Sequence, residues 1–600
     1  MKLSDYVMQF IAAQGVRHVF MVPGGGAMHL NDSAGHTEGI EYVCNLHEQA
    51  CAIAAENYAK ATGGLGVALV TSGPGGTNAI TGVAGAWMDS TPTLVISGQV
   101  KRSDLKGDSG VRQMGVQEVD IVSMIRPITK YAATVLEPGG IRVHLEKAVH
   151  LALNGRPGPV WLDIPLDVQA AQIAPETLDG YVPESDRDVG AKESRLSQQV
   201  RQVRDILGKA QRPILLAGNG IRLAHALPAL LNLIDRLGIP FMTTWLAIDF
   251  VGEDHPLFVG RPGAVAPRGA NFAVQNSDCL ISIGSRLDMI LTGYAPRKLA
   301  RDATKIMVDI DQAELDKHTG IIDLPIRADA GDFIREWLAQ AASGSPADCR
   351  AWKERCKEWK VKYPVVLPEH RRPSGRVSTY YLSEVLSEEL ESGDQIVSGS
   401  SGAGIEIFLL CFKVKSGQRI FHTTALGAMG FGPPASVGAC LGANGRRTIC
   451  VDGDGGFQLN VQELETVARL RLPVKFFILN NGGYSSIRTS QKRHFGRLSG
   501  ADSSSGLTLP SLGRIARAYG LRAMRISTQR NLRGAIRSVL ESPGPVVCEI
   551  MSVADEPRMP SIEARQQPNG SMVSTPIEDL WPFLDRSEFL SNMIVPPFEG

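Results

Sequence analysis

Two apolar runs in the last third of the chain restrict its fold more than any other feature. TICVDGDGG (Thr448 to Gly456) and VKFFILNNGGY (Val474 to Tyr484) each stop abruptly at a small oxygen-bearing side chain beside glycine. Between them lies VQELETVARLRL, whose apolar residues recur at helical spacing. Unbroken apolar strands joined through a helix require a parallel sheet covered on both faces. A crossover of this length sets the two strands side by side. Asp454 and Asn481 then fall at neighbouring carboxyl ends, where open parallel sheets bind their ligands.

The same alternation runs through the whole chain. HVFMVP, EYVCN, GVALVTS and TLVISG read as strands, with HEQACAIAAENYAKATG and GPGGTNAITGVAGAWMDS as helices between them. RPILLAG, IPFMTT, CLISIGS and KIMVDID form a middle set, and QIVSGSS, RIFHTT, TICVDGD, VKFFILNN, RAMRIS and PVVCEIM a last one. Six hundred residues are too many for one core. Polar, Pro-bearing or charged stretches near 171–198 and 342–374 read as linkers. The expected fold class is α/β, with three doubly wound parallel-sheet domains spanning 1–172, 195–342 and 375–560, and a Pro-rich arm over 561–600.

Charge narrows the partners. Sixty-two basic residues balance 62 acidic ones, so no general field favours nucleic acid or a membrane surface. No apolar run reaches the ~18 residues a membrane span needs. MKLSDYVMQFIAAQG reads as an amphipathic helix rather than a signal peptide. The nine cysteines show no CxxC pair, so reduced thiols in the cytoplasm are expected.

A carboxylate, an amide oxygen and a backbone carbonyl are hard donors suited to Mg²⁺, which usually keeps phosphate oxygens and water as its other ligands. Glycines on either side let backbone approach a phosphate. Glu48 opens an Ala-rich helix directly after the strand EYVCN. Taken singly, each of these is an ordinary turn or an acidic first-turn residue favoured by the helix dipole.

Taken together, GDG, 24 residues and NN resemble the thiamine diphosphate-binding signature of thiamine-dependent decarboxylases and carboligases. GPGGTNAITGVAGAWMDSTPTLVISGQV is closely similar to the corresponding stretch of acetolactate synthases, and the likeness extends to about residue 555. The resemblance implies thiamine diphosphate and Mg²⁺ as cofactors, with Asp454, Asn481 and the Gly483 carbonyl as metal ligands. Gly453, Gly455, Gly456 and Tyr484 would complete that cofactor site. The Gly-rich loop SGSSGAG would offer Ser401, Gly402, Ala403 and Gly404 to the diphosphate. Gly427 and Met429 of ALGAMGFGPP would hold the aminopyrimidine and bend the cofactor. Glu48 would activate it by hydrogen bonding the pyrimidine, with Pro23, Gly24, Gly25, Gly26 and Gln117 lining the reaction centre. The middle segment resembles a flavin-binding domain, which implies FAD, with ADP or no ligand as alternatives. Gly218, Asn219, Gly220, Arg286, Asp309 and Asp311 would be its contacts.

The implied activity is decarboxylation of pyruvate and transfer of its two-carbon unit to a carbonyl acceptor. The implied assembly is a homodimer or homotetramer with each active site between two chains. Departures from the family pattern lie on the acceptor side. Ser490 stands where acetolactate synthases carry Trp, Val116 replaces the usual Phe, and Ala403-Gly404 replaces a Gln-His pair. Arg488, Lys492, Arg493 and His494 nearby read as a solvated face or as partners for a phosphorylated acceptor. Transfer to a nucleotide-linked 4-keto sugar, or simple decarboxylation or lyase chemistry, are the alternatives.

Overall fold

The computed structural model describes residues 1–600 except 184–188, 341–347, 373–374, 400–401, 567–569, 571 and 599–600. The chain forms two compact units. The first comprises Met1–Ser185, Gly393–Ile405 and Arg419–Asp555, and the second comprises Asp186–Ser392, Glu406–Gln418 and Glu556–Gly600.

Unit 1 holds two six-stranded sheets in which every pairing is parallel. The first sheet contains β1 (His18–Met21), β2 (Glu41–Cys44), β3 (Gly66–Val70), β4 (Thr93–Gln99), β5 (Tyr131–Thr134) and β6 (Val160–Pro165). Their order is β2-β1-β3-β4-β6-β5. In unit 2, β7 (Pro213–Ala217), β8 (Phe241–Thr243), β9 (Phe258–Gly260), β10 (Cys279–Ile283), β11 (Thr304–Asp309) and β12 (Leu324–Arg327) form a sheet ordered β12-β11-β10-β7-β8-β9. The second sheet of unit 1 contains β13 (Gln395–Ser398), β14 (Arg419–Phe421), β15 (Thr448–Gly453), β16 (Val474–Asn480), β17 (Arg522–Ile526) and β18 (Val546–Met551). Its order, β14-β13-β15-β16-β18-β17, repeats that of the first sheet strand for strand. The unit 2 order is instead the doubly wound pattern of dinucleotide-binding sheets, with its switch point between β7 and β10.

The strands read from apolar runs are present, but the sequence reading omits β5, β6, β9 and β12. β6 is buried throughout and lies inside its sheet. Asp163 and Pro165 interrupt its apolar pattern. Asp163 stays buried because Ser97 Oγ (2.6 Å), Gln99 Nε2 (3.1 Å) and Thr134 Oγ1 (3.2 Å) donate to its carboxylate. β12 carries Pro325 on a sheet edge, where a missing N–H is tolerated.

In unit 1, helix α1 (Glu48–Thr62) packs between α2 (Pro74–Met88) and α4 (Gly432–Gly442), which follows α3 (Ala403–Cys411) in the chain. Alanines make this contact close. A Cβ placed on Gly438 of α4 would lie 2.0 Å from the carbonyl oxygen of Ala54. The arm after residue 556 belongs to unit 2 and covers the helix Arg268–Gln275. There Asn271 Nδ2 donates to Ile577 O (2.7 Å) and Gln275 Nε2 to Glu578 (2.7 Å). Among the described residues no helix is long and apolar enough to cross a membrane.

Candidate functional site

β15 and β16 run in register from Thr448 opposite Val474 to Gly453 opposite Leu479. The Asp454 N–H still donates to Leu479 O (3.0 Å), and beyond it the ladder opens. Gly482 (φ 80°) and Gly483 (φ 137°) then turn the chain back over the strand end. Both of their amides donate to Asp454 Oδ2, at 2.9 and 3.2 Å. Asp454 Oδ1 and Asn481 Oδ1 are buried and have no hydrogen-bond partner among the described residues. An unpaired buried oxygen costs about 1–3 kcal/mol, so two at neighbouring strand ends call for a shared electropositive ligand. Burial pushes the Asp454 carboxyl up to about 6, against the amides of Gly482, Gly483 and Gly455 and the Arg488 guanidinium. A cation in this place would restore its charge. Among the described residues no group of three or more His, Cys, Asp or Glu could hold a metal. Carboxylate, amide oxygen and backbone carbonyl, with ligand oxygens, make the hard-donor set of Mg²⁺. The residues present therefore fit that ion.

Tyr484 lies against Gly455 so closely that a Cβ there would stand 2.4 Å from the ring. Gly453 ends β15, and Gly456 opens the short turn Gly456–Asn460. Of the Gly-rich loop after β13, Ser401 lies outside the described residues. Gly402 is at φ 148°, and Ala403 and Gly404 open α3. Gly427 is at φ 67°, its N–H donating to Thr423 O (2.6 Å), and Met429 is partly exposed.

Pro23 to Gly26 and Glu48 follow the carboxyl ends of β1 and β2, and Gln117 lies against Gly73 after β3. His47 caps α1 by accepting from the Gln49 N–H (3.1 Å), and Glu48 begins the helix. Its Oε2 accepts from Asn78 Nδ2 of α2 (2.9 Å). Pro23 and Gly24 follow β1. Gly25 opens a short turn, and the Gly26 N–H donates to Thr71 Oγ1 (3.1 Å). The turn before Glu48 is tied to the opposite half of unit 1. Asn45 Nδ2 and the Leu46 N–H each donate to Glu463, both at 2.8 Å, and Glu463 begins α5 (Glu463–Arg469) just after the Asp454 loop. Gln117 is exposed and held at φ 65°. Its neighbour Glu118 pins the loop by accepting from the amides of Lys106 (2.6 Å), Met114 (2.8 Å) and Gly115 (3.2 Å).

In unit 2 the candidate residues also sit at strand carboxyl ends. Gly218 and Gly220 use their amides on Ile283 O and Gly284 O (both 2.9 Å), which joins β7 to β10 at the switch point. Asn219 precedes the short helix Gly220–Leu223. Asp309 Oδ1 accepts from the Asp311 N–H (2.9 Å), and Asp311 caps the helix Gln312–Asp316. Arg286 is half-buried beyond β10. Thr243 Oγ1 of β8, Ser282 Oγ of β10 and Arg261 Nη1 after β9 are buried without a hydrogen-bond partner among the described residues. Donors left over at the carboxyl edge of a dinucleotide-type sheet fit an anionic, hydroxyl-rich ligand such as FAD.

Residue reading missed several partners. Asn78, Glu118 and the pair Arg488–Asp555 carry no motif of their own. The solvated-face reading of Arg488 is corrected, because its side chain is buried against Asp555, as the α6 helix (Ser485–Phe495) begins.

Doubly wound sheets with hard oxygen donors at one crevice and a helix-opening glutamate at another define a cofactor-using α/β enzyme. Residues 1–124 match the thiamine pyrophosphate enzyme N-terminal TPP binding domain, 200–337 the central domain and 404–550 the C-terminal TPP binding domain. The acetolactate synthase large subunit of Cyanidium caldarium is 31% identical over 567 residues, covering 93% of this chain and 94% of that protein. A probable acetolactate synthase large subunit of Methanocaldococcus jannaschii is 32% identical, covering 92% of each. The acetolactate synthase isozyme 2 large subunit of Escherichia coli is 32% identical, covering 91% of this chain and 95% of its own length. The chain belongs to the thiamine pyrophosphate enzyme family. It is an acetolactate synthase-like enzyme of that family, and thiamine diphosphate is its cofactor.

Proposed function

We propose that this enzyme decarboxylates pyruvate and joins the remaining two-carbon unit to the carbonyl carbon of a second 2-oxo acid. With pyruvate as acceptor, two pyruvates and one proton give acetolactate and CO₂. The carrying observation is the pair of unpartnered buried oxygens, Asp454 Oδ1 and Asn481 Oδ1, at adjacent strand ends. In this reading they would hold Mg²⁺ with the Gly483 carbonyl, an ion that would supply positive charge for a diphosphate. Gly402, Ala403 and Gly404 would serve that diphosphate at the start of α3, and Ser401 is proposed with them. Gly453, Gly455, Gly456 and Tyr484 shape the crevice. When bound, thiamine diphosphate supplies a nucleophilic carbon and an electron sink for decarboxylation.

The remaining roles belong to the chain. Glu48 shares a proton with the aminopyrimidine, and Asn78 orients its carboxyl from α2. The Gly427 carbonyl would orient the amino group, and Met429 would support the bound cofactor. Pro23, Gly24, Gly25, Gly26 and Gln117 line the reacting centre. FAD is proposed at the unit 2 switch point, with Gly218, Asn219, Gly220, Arg286, Asp309 and Asp311 around it, and Arg261, Ser282 and Thr243 as donors.

A homodimer or homotetramer is proposed, with Glu48 of one chain facing the Asp454 loop of another. Leu46 (52% exposed), Met28 (51%) and Met429 (38%) flank the candidate residues in the single chain and call for cover. A cytoplasmic setting is proposed with it.

Incubation of the purified chain with pyruvate, thiamine diphosphate and Mg²⁺ tests the reading. CO₂ release with acetolactate is expected, and absence of CO₂ release overturns the donor assignment. Glu48→Gln is expected to retain cofactor and lose turnover, so full activity of that variant would remove Glu48 from the mechanism.

A further inference from the structure

Arg488 is the fourth residue of α6, which starts directly after the Asn481–Gly483 turn. Its side chain is 4% exposed and folds back under that turn rather than out to solvent. Nη2 donates to the backbone carbonyl of Asn481 (3.1 Å) and to that of Ala554 (2.7 Å). Nε donates to Asp555 Oδ1 (2.6 Å), and Nη1 stands 3.9 Å from Asp502 Oδ2. Ala554 and Asp555 follow β18, the sheet neighbour of β16. One guanidinium therefore joins the loops that leave two adjacent strands. Lys492, one turn further along α6, adds a second cation to Asp555 (2.8 Å), and Ser485 Oγ adds a second donor to Ala554 O (3.2 Å).

We infer that Arg488, braced by Asp555, is a positioning residue that holds the Asn481 peptide so that its side-chain oxygen is presented to the cation. The inference rests on Asp454, Asn481 and Gly483 being the Mg²⁺ ligands. Two glycines follow Asn481, so the turn has little stiffness of its own. The Asn481 N–H and C=O lie beyond the β16 ladder, and Arg488 fixes the peptide from its carbonyl side. Only a planar fork can serve two carbonyls and a carboxylate at once, which a lysine ammonium on a flexible stem does not reproduce. The same geometry commits the buried Arg488 to Asp555 and two carbonyls, so it is not a free cation awaiting a phosphorylated acceptor.

Equilibrium dialysis of thiamine diphosphate against the full chain, across a Mg²⁺ titration, measures the half-saturating Mg²⁺ concentration. Arg488→Met is expected to raise it about ten- to hundredfold, the range carried by a hydrogen bond from a charged donor. Excess Mg²⁺ is expected to recover kcat, which a general loss of structure would not allow. Arg488→Lys is expected to fall between wild type and Arg488→Met. Asp555→Asn alters a partly exposed side chain and stays testable if Arg488→Met does not fold, with a rise of about three- to tenfold expected. A half-saturating concentration within twofold of wild type in Arg488→Met, or in Asp555→Asn if that is the variant measured, overturns the inference while the metal reading stands. Retention of thiamine diphosphate by the wild-type chain without any Mg²⁺ dependence overturns the metal reading and the inference with it.

Discussion

Gly438→Ala adds one methyl group where α4 crosses α1, and its cost follows from the backbone facing it. The new Cβ would lie 2.0 Å from Ala54 O, 2.8 Å from its carbonyl carbon and 3.0 Å from its Cα. Real Cβ contacts essentially never fall below 3.0 Å, so the helices must part by at least about 1.0 Å there. No side chain can rotate away, because every obstacle belongs to the α1 main chain. A gap of ~0.5–1 Å forfeits a quarter to a half of the attraction between facing atoms. Overpacking of this kind costs about 1–3 kcal/mol, and a backbone obstacle places the expected loss near 2–4 kcal/mol. Hydrogen exchange resolves this locally, whereas global unfolding of a chain with several domains is not two-state. Exchange of α1 amides is expected to accelerate roughly 30- to 1,000-fold, at tenfold per ~1.4 kcal/mol. Peptides of unit 2 are expected to exchange as in wild type. Because Glu48 begins α1, turnover is expected to fall along with protection. Exchange of α1 within threefold of wild type would refute the close-packing argument.

Two further outcomes follow from the geometry. Gly455→Ala is expected to displace the Tyr484 ring, since its Cβ would stand 2.4 Å from Cε1 and 2.6 Å from Cδ1; weaker Mg²⁺-dependent retention of thiamine diphosphate in dialysis checks it. Asp163 is fully buried, and burial pushes its carboxyl up to about 7 against hydrogen bonds from Ser97, Gln99 and Thr134. The folded chain thus binds a proton the unfolded chain has released, so stability is expected to fall between about pH 4 and pH 7 and level off above, by roughly 4 kcal/mol at most. A flatter pH dependence of β6 amide protection, read by hydrogen exchange corrected for intrinsic rates, in Asp163→Asn checks it.

The strands that hold the candidate site were legible because they are buried on both faces, which leaves runs such as FFIL (Phe476–Leu479) without a polar break. Their neighbours were legible in the same way, since a helix between two such runs allows few arrangements. Asp454 and Asn481 could be placed at adjacent strand ends before any coordinate was known. Strands that break the pattern for a reason of their own were not legible. β6 carries Asp163, whose burial depends on Ser97, Gln99 and Thr134 from β4 and β5. No local rule announces that a carboxylate will find three donors on other strands.

The same limit separates the candidate ligands from what holds them. A ligand must face the bound group, so its residue type and its place at a strand end betray it. A supporting residue is chosen by whatever the fold happens to bring near it. Glu463 meets Asn45 across more than four hundred positions, and Arg488 meets Asp555 across 67. Arg488 lies among basic residues on a helix with no acidic residue of its own, so local charge counting assigns it to water. Its burial becomes sensible only once β18 is known to lie beside β16, which brings Asp555 under the helix. A buried guanidinium is tolerated where its donors are met, and here two carbonyls and a carboxylate meet them. The departures from the acetolactate synthase pattern at Val116 and Ser490 differ in kind: both side chains are exposed in the chain, so their surroundings are set by what binds or packs there rather than by unit 1 itself.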